Sequence, residues 1–511
     1  MKLNYKRTVC VGFAFFLISA FWQAYDSIIP LILTGKFGLS QTFSGIVMAL
    51  DNILALFLLP LFGAISDRHR GRFGRRTPFI VLGTVVAAVA FILLSLADNA
   101  QLKSLGTAAV IDDPAALSQI YAAEADKTLL TPEGRSFVLS QELTEAEFTA
   151  IRSEGDSSGD YTNYVVPARQ AYARDVSSAH RTPLILFMLL LLVVLVSMST
   201  FRSPAVALMP DVTVKPLRSK GNAVINLMGA FGGILVLVLG MVFSTGAVKN
   251  SLMSYTGFFS IIAGVMLIAL GLFVITVNEP RFVKEMQEES RRYDIPEDGD
   301  EEEPGGEKHR LGKAEKRSLI FLLLSIVLWF FGYNAVTSKY SVYASSILHK
   351  DFNLTLIIAQ AAAIVAFLPV GIISSKVGRK KAILAGVVML AVAFGTFAFL
   401  REDSPALLMN ALFTLAGVGW ATINVNSFPM VVEMSSGAEV GKYTGIYYTA
   451  SMAAQVATPM VSGFLMDKLG MTVLFPYAAV FAVLAFLTML AVRHGDSKPE
   501  AKRGLEALDV D

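Results

Sequence analysis

Residues 63–76 read Gly63-Ala-Ile-Ser-Asp67-Arg68-His-Arg-Gly-Arg72-Phe-Gly74-Arg75-Arg76, a run of cations set between two long apolar stretches. So many charges cannot lie in hydrocarbon, so the segment is a loop joining two buried helices. The chain repeats the signal once. Gly371-Ile-Ile-Ser-Ser375-Lys376-Val-Gly378-Arg379-Lys380-Lys381 follows another apolar stretch, with Gly371 standing 308 positions after Gly63. A second echo sets Asp211 and Gly221 against Glu433 and Gly441, roughly 220 positions apart. The two offsets agree once about 80 residues of polar chain after residue 98 are set aside as an insertion, leaving a parallel repeat of two halves.

Composition agrees with a membrane protein. Of 511 residues, 54% are hydrophobic and 16% charged, with a mean hydropathy of +0.57; a soluble domain carries about 25% charge. Cys10 is the only cysteine, which excludes an internal disulfide framework. A net charge of +2 gives no global field for nucleic acid, and none is expected as a partner.

Runs of roughly 20 apolar residues can each span the bilayer. Twelve are predicted: Val9 to Leu31, Gln41 to Ile65, Pro78 to Ala97, Pro183 to Met209, Gly221 to Phe243 and Ser254 to Val277 in the first half. The second half supplies Ser318 to Tyr340, Asn353 to Ser375, Ala382 to Leu400, Pro405 to Phe428, Gly441 to Phe464 and Thr472 to Val492. The first run follows Lys2, Lys6 and Arg7 as a signal peptide would, but its length and its Trp22, Gln23 and Asp26 make it an uncleaved helix. Most Lys and Arg fall in the tails and in the loops after even-numbered spans. By the positive-inside rule both termini are cytoplasmic, in a multi-pass protein of the cell membrane, here a bacterial inner membrane. The expected fold is therefore all-α and polytopic, with twelve helices in two six-helix pseudo-repeats and a large external insertion between the third and fourth.

The expected organisation is helices one to three over 1–97, the insertion over 98–182, helices four to six over 183–277, a cytoplasmic linker over 278–317, the second half over 318–492 and a tail over 493–511. The acidic run Glu297 to Pro304 marks the linker as solvated and partly disordered. The insertion is polar, with a short helix around Thr144 to Ser153 and a turn at Glu154-Gly155-Asp156, and is expected to cap the external mouth.

The run Gly63 to Arg76, with its weaker copy Gly371 to Lys381, resembles the signature loop of the major facilitator superfamily. Ser66-Asp67-Arg68 leading to Arg72-Phe-Gly-Arg-Arg76-Thr-Pro78-Phe-Ile80 is similar to plant sucrose transporters and animal proton-associated sugar transporters. Ser203-Pro204-Ala-Val-Ala-Leu208-Met-Pro210-Asp-Val-Thr213 resembles the glycoside–pentoside–hexuronide:cation symporters. The chain departs from their melibiose-permease members in having only Asp51 as a carboxylate on the second helix. It also has Arg202 where they carry aspartate, and Gln455 near their eleventh-helix lysine. The resemblance implies a secondary transporter, working by alternating access, for a disaccharide or other glycoside.

An ionisable group inside the bilayer needs a reason, because each costs about 2.5–3.5 kcal/mol on insertion scales. Asp51, Asp26 and Arg202 are such groups and the candidates for coupling to a proton, with sodium as the alternative ion. Sugar hydroxyls call for amides, and sugar rings for aromatic faces. Candidates are Gln23, Tyr25, Asn52, Asn222 and Asn226 in the first half. In the second they are Trp329, Tyr333, Asn334, Trp420, Asn424, Asn426, Tyr447, Tyr448 and Gln455. The gating loops are Gly63, Asp67, Arg68, Arg72, Gly74, Arg75 and Arg76, with Gly371, Gly378, Arg379 and Lys380. Each amide is open to a second reading as interhelical glue. No phosphate-cradling loop and no metal-ligand spacing among the five histidines is present, so neither an enzyme, a cofactor nor a bound metal is expected. Expected partners are membrane lipid and one small solute, with a monomer sufficient. Gly229-Ala-Phe-Gly232-Gly233 lacks the proline of an exporter-type kink; export, a non-sugar solute or a sensor role remain the alternatives.

Overall fold

The computed structural model describes residues 3–153, 159–214, 217–293, 312–432, 434 and 440–494. Its helices are α1 (Tyr5–Leu31), α2 (Gln41–Arg68), α3 (Thr77–Leu105), α4 (Pro114–Glu124), α5 (Leu139–Glu142), α6 (Glu145–Ala150), α7 (Val166–Ala179), α8 (Thr182–Asp211) and α9 (Arg218–Val242). Then come α10 (Thr256–Thr276), α11 (Glu279–Arg292), α12 (Lys313–Tyr343), α13 (Phe352–Val377), α14 (Arg379–Phe397), α15 (Ala406–Val432), α16 (Val440–Leu469) and α17 (Leu474–Leu490). Twelve of these, among the described residues, correspond to the predicted spans. Ten are long and apolar enough to cross a membrane. The other two are α13, mainly apolar in sequence from Phe352 through Ile373, and α16, which carries Tyr, Thr, Ser and Gln along its length. Both pack across to the other half, on α9 and α2, so helix rather than lipid covers part of their surface.

The duplication is visible as packing. In the first half α1 lies on α9 and α10, α3 on α8 and α10, and α2 on α8; in the second, α12 lies on α16 and α17, α14 on α15 and α17, and α13 on α15. The halves meet through α2 with α16, α9 with α13, and α1 with α12 on the pseudo-axis. The last turn of α1 widens into a π-turn at Ile32–Lys36, and α12 does the same at Ala344–Leu348. Close backbone approach depends on small residues, as in membrane bundles generally. A methyl group on Gly232 would strike the Phe16 carbonyl, and one on Gly417 the Ala359 carbonyl.

The insertion starts later than predicted, because α3 runs on past Ala97 to Leu105. Asp98 on that extension is fully buried against Lys36, at 2.6 Å. The insertion has its own core of Leu117, Ile120, Leu129, Phe137, Leu139, Phe148 and Val165, around a hairpin of β1 (Thr128–Leu130) and β2 (Ser136–Val138). The predicted short helix is α6, opened by a capping box between Thr144 and Glu147. The turn at residues 154–156 and Glu433 lie outside the described residues.

The linker needs correction. Its first part is not a solvated tether: α11 lies on the first half, with Phe282 and Val283 against the core, Met286 beside Leu3 and Leu217, and Arg7 3.5 Å from Glu285. The apolar side of an otherwise charged segment is what seats it. The acidic run Glu297 to Pro304 lies outside the described residues.

Candidate functional site

Between the halves lies a cavity of about 170 Å3. The first half supplies Trp22, Asp26, Asp51, Asn52 and Arg202; the second supplies Asn334 and Gln455. Three helices, α1, α2 and α8, thus bring the predicted ionisable groups together, and their charges act on one another. The Arg202 guanidinium sits 5.3 Å from the centre of the Trp22 ring, a cation–π contact that holds it without neutralising it. Asn52 Nδ2 donates to Asp51 Oδ1 at 2.9 Å. Two donors are buried without an acceptor among the described residues: Trp22 Nε1 and Asn334 Nδ2. A buried donor left unpaired costs about 1–3 kcal/mol, so an acceptor that reached either nitrogen would be stabilising.

Other predicted contacts are placed elsewhere. Tyr25 is fully buried; its ring stacks on Phe21 and its hydroxyl donates to the Val47 carbonyl at 3.3 Å, so it holds α1 to α2 instead of lining the cavity. Gln23 accepts from Gln360 Nε2 of α13 and ties the halves together. Trp329 is buried. Tyr333 and Trp420 stack face to face at 3.7 Å, each covering the other's ring. Asn426 donates to its own helix at the Thr422 carbonyl, and Tyr447 pairs with Ser427. Asn222, Asn226 and Asn424 are exposed outside the cavity. None of these residues lines the cavity between the halves.

The insertion face is closed. Asp467, near the end of α16, accepts the backbone N–H groups of Gln41 at 2.8 Å and Thr42 at 2.7 Å. Lys339 of α12 is fully buried and donates to the Gln41 carbonyl at 2.8 Å. Gly45 and Gly463 let the α2 and α16 backbones touch, since a methyl on either would meet the Pro459 or Gln41 carbonyl. The insertion adds its own bridge: Met471 N donates to the Pro132 carbonyl at 2.6 Å, Arg174 Nε to the Gly38 carbonyl at 3.1 Å, and Thr162 meets His349. At the opposite face, which carries the basic loops 63–76 and 371–381, α2 and α16 part around a cleft of about 540 Å3 between Leu56, Pro60 and Asp67 on one side and Tyr448 and Met452 on the other.

The first basic loop, residues 63–76, forms a charged knot. Arg76 donates from Nε to Asp211 at 2.8 Å and pairs with Asp67 at 2.5 Å, while Arg75 grips Asp211 at 2.7 Å and 3.2 Å. Burial opposes the Arg76 charge, but the Asp211 and Asp67 carboxylates outweigh it and hold the guanidinium above its ordinary value. Gly74 takes φ +98, and a side chain there would run into Glu279. Gly63 faces Ser203 closely enough that a methyl would crowd its hydroxyl. Arg68 and Arg72 are exposed. The second loop turns at Gly378, also at φ +98. Gly371 is buried, Arg379 is 9% exposed, and Lys380 donates to the Leu490 carbonyl at 3.0 Å and the Val492 carbonyl at 2.5 Å, closing the end of α17.

Sequence reasoning passed over three residues here. Glu279 was assigned to the solvated linker, yet its carboxylate accepts from Arg75 N at 2.7 Å, Arg76 N at 2.9 Å and Thr77 N at 2.8 Å, capping α3. Its signal was the Asn278-Glu279-Pro280 helix start. Lys339 sat one residue inside a predicted span end, where a lysine reads as snorkelling. Asp467 lies three residues beyond the predicted span end at Phe464.

Comparison with known proteins follows the same lines. The family profile of the Major Facilitator Superfamily matches residues 176–368 and 340–509, and that described as MFS/sugar transport protein matches 10–110. An uncharacterised MFS-type transporter of Methanocaldococcus jannaschii is 26% identical over 125 residues, 24% of this chain and 30% of that protein. Human solute carrier family 45 member 3 is 43% identical over 51 residues, 10% of this chain and 9% of that protein. The matches span less than a third of the length of these curated relatives. Among solved structures, the xylose transporter of E. coli in an inward-open conformation superposes with a TM-score of 0.57 at 17% identity, covering 98% of both chains.

Proposed function

Because this chain belongs to the Major Facilitator Superfamily, we propose that it is a proton-coupled symporter that imports a sugar, a disaccharide or other glycoside, by alternating access. The cavity between the halves carries the reading. Two carboxylates and one arginine of the first half face amides of the second across it, so proton and solute would occupy one space. A carboxylate that must choose between a proton and Arg202 is poised to respond when a solute arrives. Trp22 offers an aromatic face and an unpaired N–H, and Asn334 an unpaired N–H2, to ring and hydroxyl oxygens. The sugar-transport profile over the first helices and the xylose-transporter neighbour support the substrate class.

With the basic loops 63–76 and 371–381 in the cytoplasm by the positive-inside rule, the conformation is inward-open. The insertion and the Asp467–Gln41 contact close the external side.

The test is reconstitution in liposomes with a panel of mono- and disaccharides and a pH reporter inside. Sugar-dependent acidification that is lost in Asp51→Asn or Asp26→Asn supports the reading. Acidification unchanged in both variants removes these carboxylates from coupling. Proton-driven movement of other solutes, with no response to any sugar, replaces sugar as the substrate.

A further inference from the structure

A second cavity, of about 60 Å3, lies under the insertion at the meeting point of three bodies. Arg169 on α7 of the insertion lines it, with Gly35, Ser251 and Tyr255 of the first half and Val342 and Ser346 of the second. It is separate from the central cavity, sharing no lining residue with it.

Arg169 is 5% exposed. Its Nη1 donates to the Tyr161 hydroxyl at 2.6 Å, but Nε and Nη2 have no acceptor among the described residues. Those two nitrogens form one edge of the guanidinium, the edge by which Arg75 takes the Asp211 carboxylate in this same molecule. That fork matches a carboxylate or a phosphate in geometry as well as charge. Tyr255 is 1% exposed, with its ring 4.3 Å from the Lys36 ammonium, and its hydroxyl is also buried without a partner. No acidic side chain is among the residues that line the cavity.

A buried guanidinium that lacks a counter-charge is strongly unfavourable. Arg169 and Tyr255, with three unpartnered donors between them, line a cavity whose other lining residues include no acid; Asp98, the acid that acts on Tyr255, is already paired with Lys36 at 2.6 Å, so the unpartnered donors call for an anion from solution. Size restricts it: a water needs about 10–15 Å3 by this measure, so the space holds about four waters or one small oxyanion and excludes a sugar ring.

We propose that this cavity is an anion site, in which a carboxylate or phosphate group is held by Arg169 Nε and Nη2 and by the Tyr255 hydroxyl. Because its walls come from the insertion and both halves, the bound anion fastens the insertion to the closed face. The site does not depend on what the central cavity carries.

The experiment follows thermal unfolding of the full chain in detergent, in a bulky sulfonate buffer, titrating sodium phosphate, sodium acetate and sodium chloride at constant ionic strength. The expected result is a saturable rise in unfolding temperature with phosphate or acetate, absent in Arg169→Gln. Its half-saturating concentration should rise about tenfold in Tyr255→Phe, which loses one hydrogen bond. Saturation by acetate identifies a carboxylate ligand, and saturation by phosphate alone identifies a phosphate. Should Arg169→Gln fail to fold, Arg169→Lys keeps the charge without the fork and is expected to weaken the response at least about tenfold. Equal responses in wild type and the arginine variants, a response to chloride alone, or no saturable response in wild type would each overturn the proposal, the last leaving only an empty cavity.

Discussion

Asp467 caps a helix that belongs to the other half of the molecule: its carboxylate takes the N–H of Gln41, the first residue of α2, at 2.8 Å. The acid thus meets the positive end of the α2 dipole across the interface, where an anion is stabilising.

Removing that carboxylate should loosen the insertion face. A charge-assisted hydrogen bond contributes about 1.5–3 kcal/mol, so Asp467→Ala is expected to shift the closed-to-open ratio there by roughly 10- to 150-fold. Spin labels at Phe43 and Leu469 in a Cys10→Ser background would read it as a longer inter-label distance. Unchanged distances would mean that the glycine, Lys339 and insertion contacts hold the face shut without the carboxylate.

Trp22 and Arg202 should separate binding from coupling. Trp22→Phe keeps an aromatic face but deletes the unpaired N–H, and should raise the KM for solute by about tenfold with little change in kcat. Arg202→Lys keeps the charge but loses the planar contact with the Trp22 ring, and should lower turnover instead. Initial uptake rates across a solute titration distinguish the two patterns.

The α3 cap should be a stability element. Glu279→Ala leaves the N–H groups of Arg75, Arg76 and Thr77 without their acceptor, and capping losses are about 0.5–2 kcal/mol. A lower unfolding temperature in detergent is expected, with Glu279→Gln in between. A midpoint equal to wild type would show that water replaces the cap.

Within the charged knot, the two aspartates should not be equivalent. The Asp67 side chain is 56% exposed and Asp211 only 13%, and exposed pairs contribute little, about 0–1 kcal/mol. Asp211 also serves both arginines. Asp211→Asn should therefore reduce stability and transport more than Asp67→Asn, as measured by unfolding temperature and uptake. The reverse order would place the function of the loop in Asp67.

The membrane spans and the duplication were legible because both rest on composition and spacing, which the bilayer constrains directly. Asp26, Asp51 and Arg202 were legible for the same reason: a charge within an apolar run stands out. Among the amide and aromatic candidates Asn52, Asn334 and Gln455 line the cavity and Asn426 and Trp420 do not; such side chains satisfy a helix interface as well as a solute, and only packing decides between them. Glu279 was hidden by neighbours: a capping acid in a segment full of acids carries no contrast. Lys339 and Asp467 were hidden by position, since a charge near a span end is ordinarily wet, and here the insertion and the opposite half bury or cover it.

The duplication gives two six-helix units, but only one carries an insertion, and that insertion is hydrogen-bonded to the other unit through Pro132 and Met471. Any movement that parts α2 from α16 at that face must also break this contact or carry the insertion with it. The insertion is thus a strap sewn to one unit and buttoned on the other, at one face of the molecule only.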